Sequence, residues 1–486
     1  MITIRKLLLS SVAVLTLTMG SQPQAEPMNV IYFLSDDHRA DFLGCAGHPI
    51  VRTPVLDGLA SRGIRFEQSF VTTSICAASR ASILTGLYER THKFTFGTPP
   101  ISKEHIAASY PAILKSAGFR TGFVGKFGVS VPPRAQTEVM FDYFQPLNRS
   151  PYIKTLADGT KRHVTDIAGD RAIDFLKSTP SDQPFCLSVS FNAAHAEDGD
   201  KVNHFPWPES EDGLYEDITI PEPINSDPAI FENHPQFLKE SMNRVRYYWR
   251  WDTPEKYQRN VKAYYRMITG LDRVIGRVLS ALKDSGRDEN TVIIFSGDNG
   301  YYKGARGFAG KWSHYEESLR VPLIIFDPRV AGTGAAGLVD KEHMALNIDI
   351  PATILEAAGQ MTPTHYQGRS LLSLAHGKEP ENWRDAFFCE HLMDNAQIPK
   401  WDGLRHKRFV YANYFQQDGE VGEFLHDLWN DPNQLVNLRN DAAYKNVLKE
   451  FRTRMKRLRD SIGGEYSIEN FPTRRWLESR KSPSGE

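Results

Sequence analysis

Residues 29–34 form an unbroken apolar run, Asn-Val-Ile-Tyr-Phe-Leu, that stops at Ser35-Asp36-Asp37-His38. Some 260 residues later a run of the same kind, 291–295, stops at Ser296-Gly297-Asp298-Asn299-Gly300. Apolar runs without polar alternation predict strands covered on both faces, as in a parallel sheet. In open α/β sheets the functional crevice lies outside the carboxyl ends of the strands, so these two acidic termini are predicted neighbours in space. A third run, 184–191, leads to Asn192-Ala193-Ala194-His195. Helical patterns lie between the runs, at 110–117 before Gly118 and at 257–282 before Gly286. This alternation predicts an α/β fold whose mixed or parallel sheet is sandwiched by helices.

A chain of 486 residues is long enough for a large core and two or three structural units. Its 58 Lys and Arg balance 59 Asp and Glu, which favours neither a nucleic-acid surface nor a broad acidic one. At the N-terminus, Arg5 and Lys6 precede a short apolar stretch, 7–17, followed by small and polar residues through Ala25. That is the form of a secretory signal peptide, with cleavage after Gly20 or Ala25, and it predicts an exported protein, periplasmic or secreted. The stretch is short of the roughly 20 apolar residues of a membrane span, so no stable membrane anchor is expected, a retained tether being the alternative. Four cysteines do not make a disulfide framework. With Cys76 set aside for chemistry, at most one bridge among Cys45, Cys186 and Cys389 is expected.

Between about 200 and 256 the periodicity fades into sequence rich in Pro, Trp and Tyr, including Phe205-Pro206-Trp207-Pro208 and Tyr247-Tyr248-Trp249-Arg250-Trp251. The expectation is a long irregular insertion, either shaping a substrate pocket or packing as a surface loop. Beyond Pro380, strand-like pieces at 408–412 and 423–428 precede an amphipathic helix from about Ala443 to Ile462. The predicted organisation is a signal peptide at 1–25, a larger α/β domain at 26–385 and a smaller α+β C-terminal subdomain at 386–486.

The segment 73–86 reads Thr-Ser-Ile-Cys-Ala-Ala-Ser-Arg-Ala-Ser-Ile-Leu-Thr-Gly, with a Cys76-x-Ala78-x-Arg80 core, and Thr53-Pro54-Val55-Leu56-Asp57 lies upstream. Lys126 stands in Gly125-Lys126-Phe127-Gly128, and Lys311 in the longer string Gly310-Lys311-Trp312-Ser313-His314-Tyr315-Glu316. Leu428-Trp429-Asn430-Asp431-Pro432 is followed by Asn437-Leu438. Together and in this order, these motifs resemble those of type I sulfatases over residues 29–460. The resemblance implies an alkaline-phosphatase-like fold. It also implies that a formylglycine-generating maturation enzyme oxidises Cys76 to an aldehyde, whose hydrate attacks sulfate esters.

The same resemblance assigns one divalent cation to Asp36, Asp37, Asp298 and Asn299, with the matured Cys76 adding an oxygen. Hard oxygen donors suit Ca²⁺ or Mg²⁺ better than Zn²⁺, and the resemblance implies Ca²⁺ ahead of Mg²⁺. Arg80, one helical turn beyond Cys76 if the motif opens a helix, is assigned to the hydrated aldehyde. Lys126 and Lys311 are assigned to the sulfate oxygens, and His195 to protonation of the leaving alcohol.

Two positions depart from the family pattern. Gly128 stands where a histidine usually follows the first lysine, leaving His314 or His38 as candidates to approach from elsewhere. Ala78 stands where many members have proline, which leaves open the maturation system that accepts the motif. The leading expectation is an exported sulfatase acting on a sulfated saccharide. A phosphonate or phosphate ester hydrolase of the same fold and a non-catalytic carbohydrate-binding relative are the alternatives. Phosphatases of that fold generally hold two zinc ions with several Asp and His, whereas here Asn299 follows Asp298 where a zinc-binding His would be wanted and Lys126 and Lys311 take the anion side, which favours one metal. Neither the sugar nor the oligomeric state is readable from the sequence.

Overall fold

The computed structural model describes residues 27–97, 99–132, 135–330, 332–415 and 422–465. The signal-peptide reading at 1–25 therefore lies outside the described residues. Eight strands form the main sheet: β1 (Asn29–Ser35), β2 (Ile64–Phe66), β3 (Arg120–Gly125), β4 (Tyr143–Pro146), β5 (Phe185–Ser190), β6 (Thr291–Gly297), β7 (Leu323–Phe326) and β8 (Leu338–Asp340). Their order across the sheet is β8-β2-β7-β6-β1-β5-β3-β4. Only β7 runs antiparallel to its neighbours, β6 and β2. The three apolar runs of the sequence are thus β1, β5 and β6, and they lie side by side at the centre.

Alternate residues of each central strand serve opposite cores, which is why no polar alternation appears in them. Ile31, Phe33, Leu187, Val189, Ile293 and Phe295 pack toward one side, with residues of α1 (Pro54–Arg62), α4 (Val164–Ser178) and α6 (Pro254–Asp284). Between α1 and α4 in sequence come α2 (Cys76–Thr85) and α3 (Tyr110–Ser116), and α7 (Asp349–Ala357) follows later. These three pack on the other side with Val30, Tyr32, Val292 and Ile294.

The register fixes the site. Leu34 is opposite Ser190, Ser35 opposite Gly297 and Gly125 opposite Ser190, so four adjacent strands end at one level. The backbone extends this alignment past the strands, with Asp36 N–H donating to Ala193 O at 2.8 Å and Asp298 N–H to Ser35 O at 3.0 Å.

A second, antiparallel sheet runs β9 (Ala386–His391), β10 (Trp401–His406), β11 (Phe409–Tyr414) and β12 (Glu423–Asp427) in sequence order. One face buries Phe388, Leu404, Tyr411 and Leu425 under α8 (Lys445–Ser461), through Leu448, Phe451 and Met455. The other face packs Phe387, Trp401 and Phe424 against Phe70, Tyr302 and Tyr315 of the main body. The last helix starts two residues later than expected because Asp441 accepts from Ala443 N–H and closes a 3-10 turn over 442–444 first.

The insertion departs from expectation more. Residues 242–250 form a regular helix, α5 (Met242–Arg250), within what was expected to be irregular chain. Its buried residues are Asn243 and Arg250, whereas Tyr248 is exposed. Met242, Val245 and Trp249 stand at helical spacing on it, but nine residues are too few for that period to stand out in a chain rich in Pro, Trp and Tyr. All four cysteines are free, so no bridge joins Cys45, Cys186 and Cys389.

Asp272, buried on α6, ties that helix to the start of α1 by accepting from Val55 N–H at 3.1 Å and Leu56 N–H at 2.8 Å. It replaces a local cap, since Thr53 makes no capping bond of its own. Asp272→Ala is expected to cost about 2 kcal/mol in urea unfolding by stranding two buried donors. Asp272→Asn, which keeps an acceptor oxygen, is expected to lose less than half of that, and equal losses would show that capping is not the source.

Candidate active site

Cys76 is the first residue of α2, buried, with Ile75 before it in extended backbone. Arg80 does lie one turn on, and it is buried rather than a surface arginine. Its guanidinium donates through Nε to Asp298 at 2.8 Å and through Nη1 to Lys126 O at 2.6 Å, with Ser190 Oγ as a further partner. Asp36 pairs with Lys126, and Asp37 with Lys311. Asp37 sits in the left-handed region at φ 52°. Its peptide is pinned there by Asp37 N–H to Asp298 Oδ1 at 3.1 Å and by the Tyr264 hydroxyl donating to Asp37 O at 2.6 Å. Asn299 Nδ2 donates to Asp37 Oδ1 at 2.7 Å.

All the residues singled out in the sequence meet here: Asp36, Asp37, Cys76, Arg80, Lys126, His195, Asp298, Asn299 and Lys311. Donor atoms of Asp36, Cys76 and Asp298 lie within 4.8 Å of one another, and so do those of Asp36, Asp37 and His195. Asp36 Oδ1 and Asn299 Oδ1 are buried with no hydrogen-bond partner. Two orphaned oxygens beside further carboxylates fit a hard divalent cation.

The site's charges pull against one another. Burial would raise the Asp36 carboxyl, but Lys126, Arg80 and Lys311 outweigh it and hold it below the usual carboxylate range. Asp298 goes the other way: burial and then Asp36 push it up to about 7, against Arg80 and Lys126. His195 Nδ1 lies 2.7 Å from Ala196 O. A carbonyl can only accept, so Nδ1 carries the proton and Nε2 is the open atom, 3.7 Å from Asp37 Oδ2. Burial, then Arg149, Lys311, Lys126 and Arg246, hold the ring well below the ordinary histidine value.

Several positioning residues escaped the sequence reading. Asn243 of α5 donates to Lys311 O at 2.7 Å, and the Trp401 indole of β10 donates to Trp312 O at 2.7 Å. Together they hold the turn at Trp312, which has φ 78°. Ser190 and Tyr264 do the same for Arg80 and Asp37. Each acts from a distant stretch of sequence with no motif around it.

Neither histidine named as a substitute for the one missing at Gly128 is free to serve. His38 has its ring nitrogens on Ser35 Oγ and Phe42 O, and His314 on Tyr414 Oη and His426. The glycine itself has a steric reason: φ is +70°, and an added Cβ would lie 2.9 Å from Arg80 Cδ. Arg80 occupies the space a side chain at 128 would need.

The family model of sulfatases matches residues 28–360. The chain belongs to the sulfatase family. It is a sulfuric ester hydrolase by that membership, and a second model, for the C-terminal part of N-sulphoglucosamine sulphohydrolase, matches residues 304–461. An N-acetylglucosamine-6-O-sulfatase of Bacteroides thetaiotaomicron is 26% identical, with 91% of this chain and 88% of the relative covered. An arylsulfatase of Clostridium perfringens is 29% identical over 86% of this chain and 91% of its own length. A structure solved in complex with its substrate D-glucosamine-2-N,6-O-disulfate superposes with a TM-score of 0.77 at 24% identity, covering 95% of this sulfatase and 100% of that chain. The phosphonate monoester hydrolase of Agrobacterium radiobacter shares the fold at a TM-score of 0.72 and 24% identity, covering 89% and 96%. Among the described residues of this sulfatase no helix is long and apolar enough to cross a membrane.

Restoring the usual histidine is expected to harm the enzyme. Gly128→His must move the Arg80 arm, and misplacing a group one turn beyond Cys76 is expected to lower kcat/KM for sulfate release by about 100-fold. Gly128→Ala, with the same backbone conflict and a smaller side chain, is expected to lose less. A gain in rate from histidine would show that Arg80 can move aside without cost.

Proposed function

We propose that this sulfatase is exported and removes sulfate from a saccharide, with Cys76 matured to formylglycine by a maturation enzyme and one Ca²⁺ ion held by Asp36, Asp37, Asp298, Asn299 and the matured residue. The observation that carries the reading is the position of Cys76. It opens a helix inside a buried ring of three carboxylates, Asp36, Asp37 and Asp298, and three cations, Arg80, Lys126 and Lys311. A sugar substrate is supported by the relatives named above, an N-acetylglucosamine-6-O-sulfatase and a glucosamine disulfate complex among them.

A cation held by Asp36, Asp37, Asp298 and Asn299 would supply Lewis-acid polarisation of a sulfate oxygen and would favour ionisation of the formylglycine hydrate. The protein's own residues do the rest. Arg80, fixed by Asp298, Ser190 and Lys126 O, is presented to the residue one turn before it. Lys126 and Lys311 are set to exchange their carboxylate partners for sulfate oxygens as point charges. His195 keeps its Nδ1 proton on Ala196 O, so a proton for the leaving oxygen travels on Nε2. Burial, and then the surrounding cations, keep Nε2 unprotonated until an anion lies among them. Burial of the acids excludes water, which strengthens each of these interactions.

The first test is the mass of the tryptic peptide 66–80 from protein made with an active maturation system. An aldehyde or hydrate at Cys76, with sulfate rather than phosphate or phosphonate released and no release by Cys76→Ala, is expected. An unmodified thiol despite active maturation would sink the nucleophile. His195→Ala is expected to slow sugar sulfates by about 10²–10⁴-fold and aryl sulfates with good leaving groups far less. Equal losses on both would argue that His195 is not the acid.

Charge balance makes a further demand. The three carboxylates already neutralise the three cations, so a divalent cation alone or a sulfate dianion alone leaves two uncompensated charges in a dry site. Each should therefore tighten the other. Calorimetric Ca²⁺ titration is expected to give a Kd about 5- to 100-fold lower in saturating sulfate. An unchanged Kd would mean that the two ligands do not share the site.

A further inference from the structure

Beside His195, three guanidinium groups converge on a single carboxylate. Asp198 lies 3.5 Å from Arg149 Nη2 and 3.2 Å from Arg246 Nη2, and it pairs with Arg250 as well. The neighbouring acid, Glu197, engages Ser150 Oγ at 2.8 Å and Gly199 N–H at 3.3 Å instead. One carboxylate does not satisfy three arginines. Arg246 Nε and both Nε and Nη1 of Arg250 are buried without a partner, and so are the Trp312 indole nitrogen and the Tyr301 hydroxyl nearby. Unpaired buried donors around excess positive charge form a place that lacks an anion.

The cluster belongs to the wall of the same site. Arg149 Nε donates at 3.2 Å to Ala196 O, the carbonyl that also anchors His195. The Arg246 guanidinium lies over the Trp312 ring, 4.9 Å from its centroid, next to Lys311. Both side chains are reachable. Arg149 is 26% and Arg246 18% exposed, against 0% for Arg250, which backs them from below, and 2% or less for Asp36, Asp37 and Asp298. Burial opposes the charge on Arg246, and Asp198 only partly offsets this while Arg250 adds to it, so its pKa falls below the ordinary arginine value. An anion between Arg149 and Arg246 would relieve that imbalance.

We propose that Arg149 and Arg246 form a subsite for a second anionic group on the substrate, a carboxylate or a further sulfate adjacent to the sulfate that is hydrolysed. Asp198 and Arg250 are the positioning residues that hold the two guanidinium groups in place. The preferred substrate is then a saccharide with at least two negative charges close together. Planar guanidinium forks suit both oxyanions, and the site does not distinguish them by charge alone.

This inference rests on the sulfatase reading, and the test separates the two. Matured wild-type enzyme is assayed on three sugars: one with a single sulfate, the same sugar with a second sulfate, and the singly sulfated sugar joined to a uronate. At least one of the doubly charged sugars is expected to exceed the first in kcat/KM by on the order of tenfold or more. Which of them does so names the oxyanion. That advantage is expected to shrink to within about threefold in Arg149→Gln and Arg246→Gln, chiefly through KM. It should also shrink in wild type as salt rises, because the two side chains are partly exposed. A wild-type enzyme that treats all three sugars alike, or an advantage that survives both substitutions, would overturn the subsite. If none of the three releases sulfate, the saccharide-sulfatase reading falls instead. Calorimetric binding of the same sugars to Cys76→Ala then judges the subsite alone, equal affinities overturning it and tighter binding of a doubly charged sugar upholding it.

Discussion

Asp36 and Asp37 end one strand, Asp298 ends the next, and in a dry site Arg80, Lys126 and Lys311 reach all three. Removing one member of a buried ion pair costs roughly 3–5 kcal/mol because its partner is left charged and unsolvated. The arrangement around Cys76 is therefore collective. Asp298 shows the tension directly: burial and Asp36 raise it to about 7 although Arg80 donates to it. A chain that keeps so many charges out of water at one strand edge sacrifices stability there and must recover it from the two cores that flank the sheet.

The C-terminal sheet is part of this arrangement. Lys311 stands in a loop, and its neighbour Trp312 is in a backbone conformation unfavourable for a large side chain. Trp401, fully buried, holds that turn from β10, and Asn243 holds it from α5. The histidine next along the loop is tied in as well. Val436 O can only accept, so His426 Nδ1 carries the proton and its Nε2 is left to accept from His314, whose Nδ1 in turn accepts from Tyr414. Burial holds both imidazoles below the ordinary histidine value. His314 thus fixes the loop that carries Lys311.

What could be read in the sequence follows from what burial does to a pattern. β1, β5 and β6 are covered on both faces, so they stand out as apolar runs, and their register alone brings Asp36, Asp298 and His195 to one edge. The Cys76 and Lys311 motifs were legible because their residues cluster in short strings. α5 was not, because its nine residues are too few for a helical period to stand out. Ser190, Tyr264 and Trp401 were not legible either, since each positions a residue of the site or its loop between 89 and 227 positions away, and nothing local marks them.

Gly128 shows how a departure from a family pattern can be read physically. A lost side chain reads as decay when the space it leaves stays open and its former partners are orphaned. Here the space is filled. The Arg80 arm passes 2.9 Å from where the Cβ would stand, and its guanidinium is bound to Asp298, Ser190 and Lys126 O. The glycine conformation at φ +70° and the path of Arg80 require each other. The carboxylates, lysines and arginine around Cys76 are all paired, and the partnerless atoms among them, Asp36 Oδ1, Asn299 Oδ1 and Arg80 Nη2, are oxygen acceptors suited to a cation and a donor suited to an oxyanion. The partnerless atoms face the centre of the site, and the space beside Gly128 is already taken by Arg80.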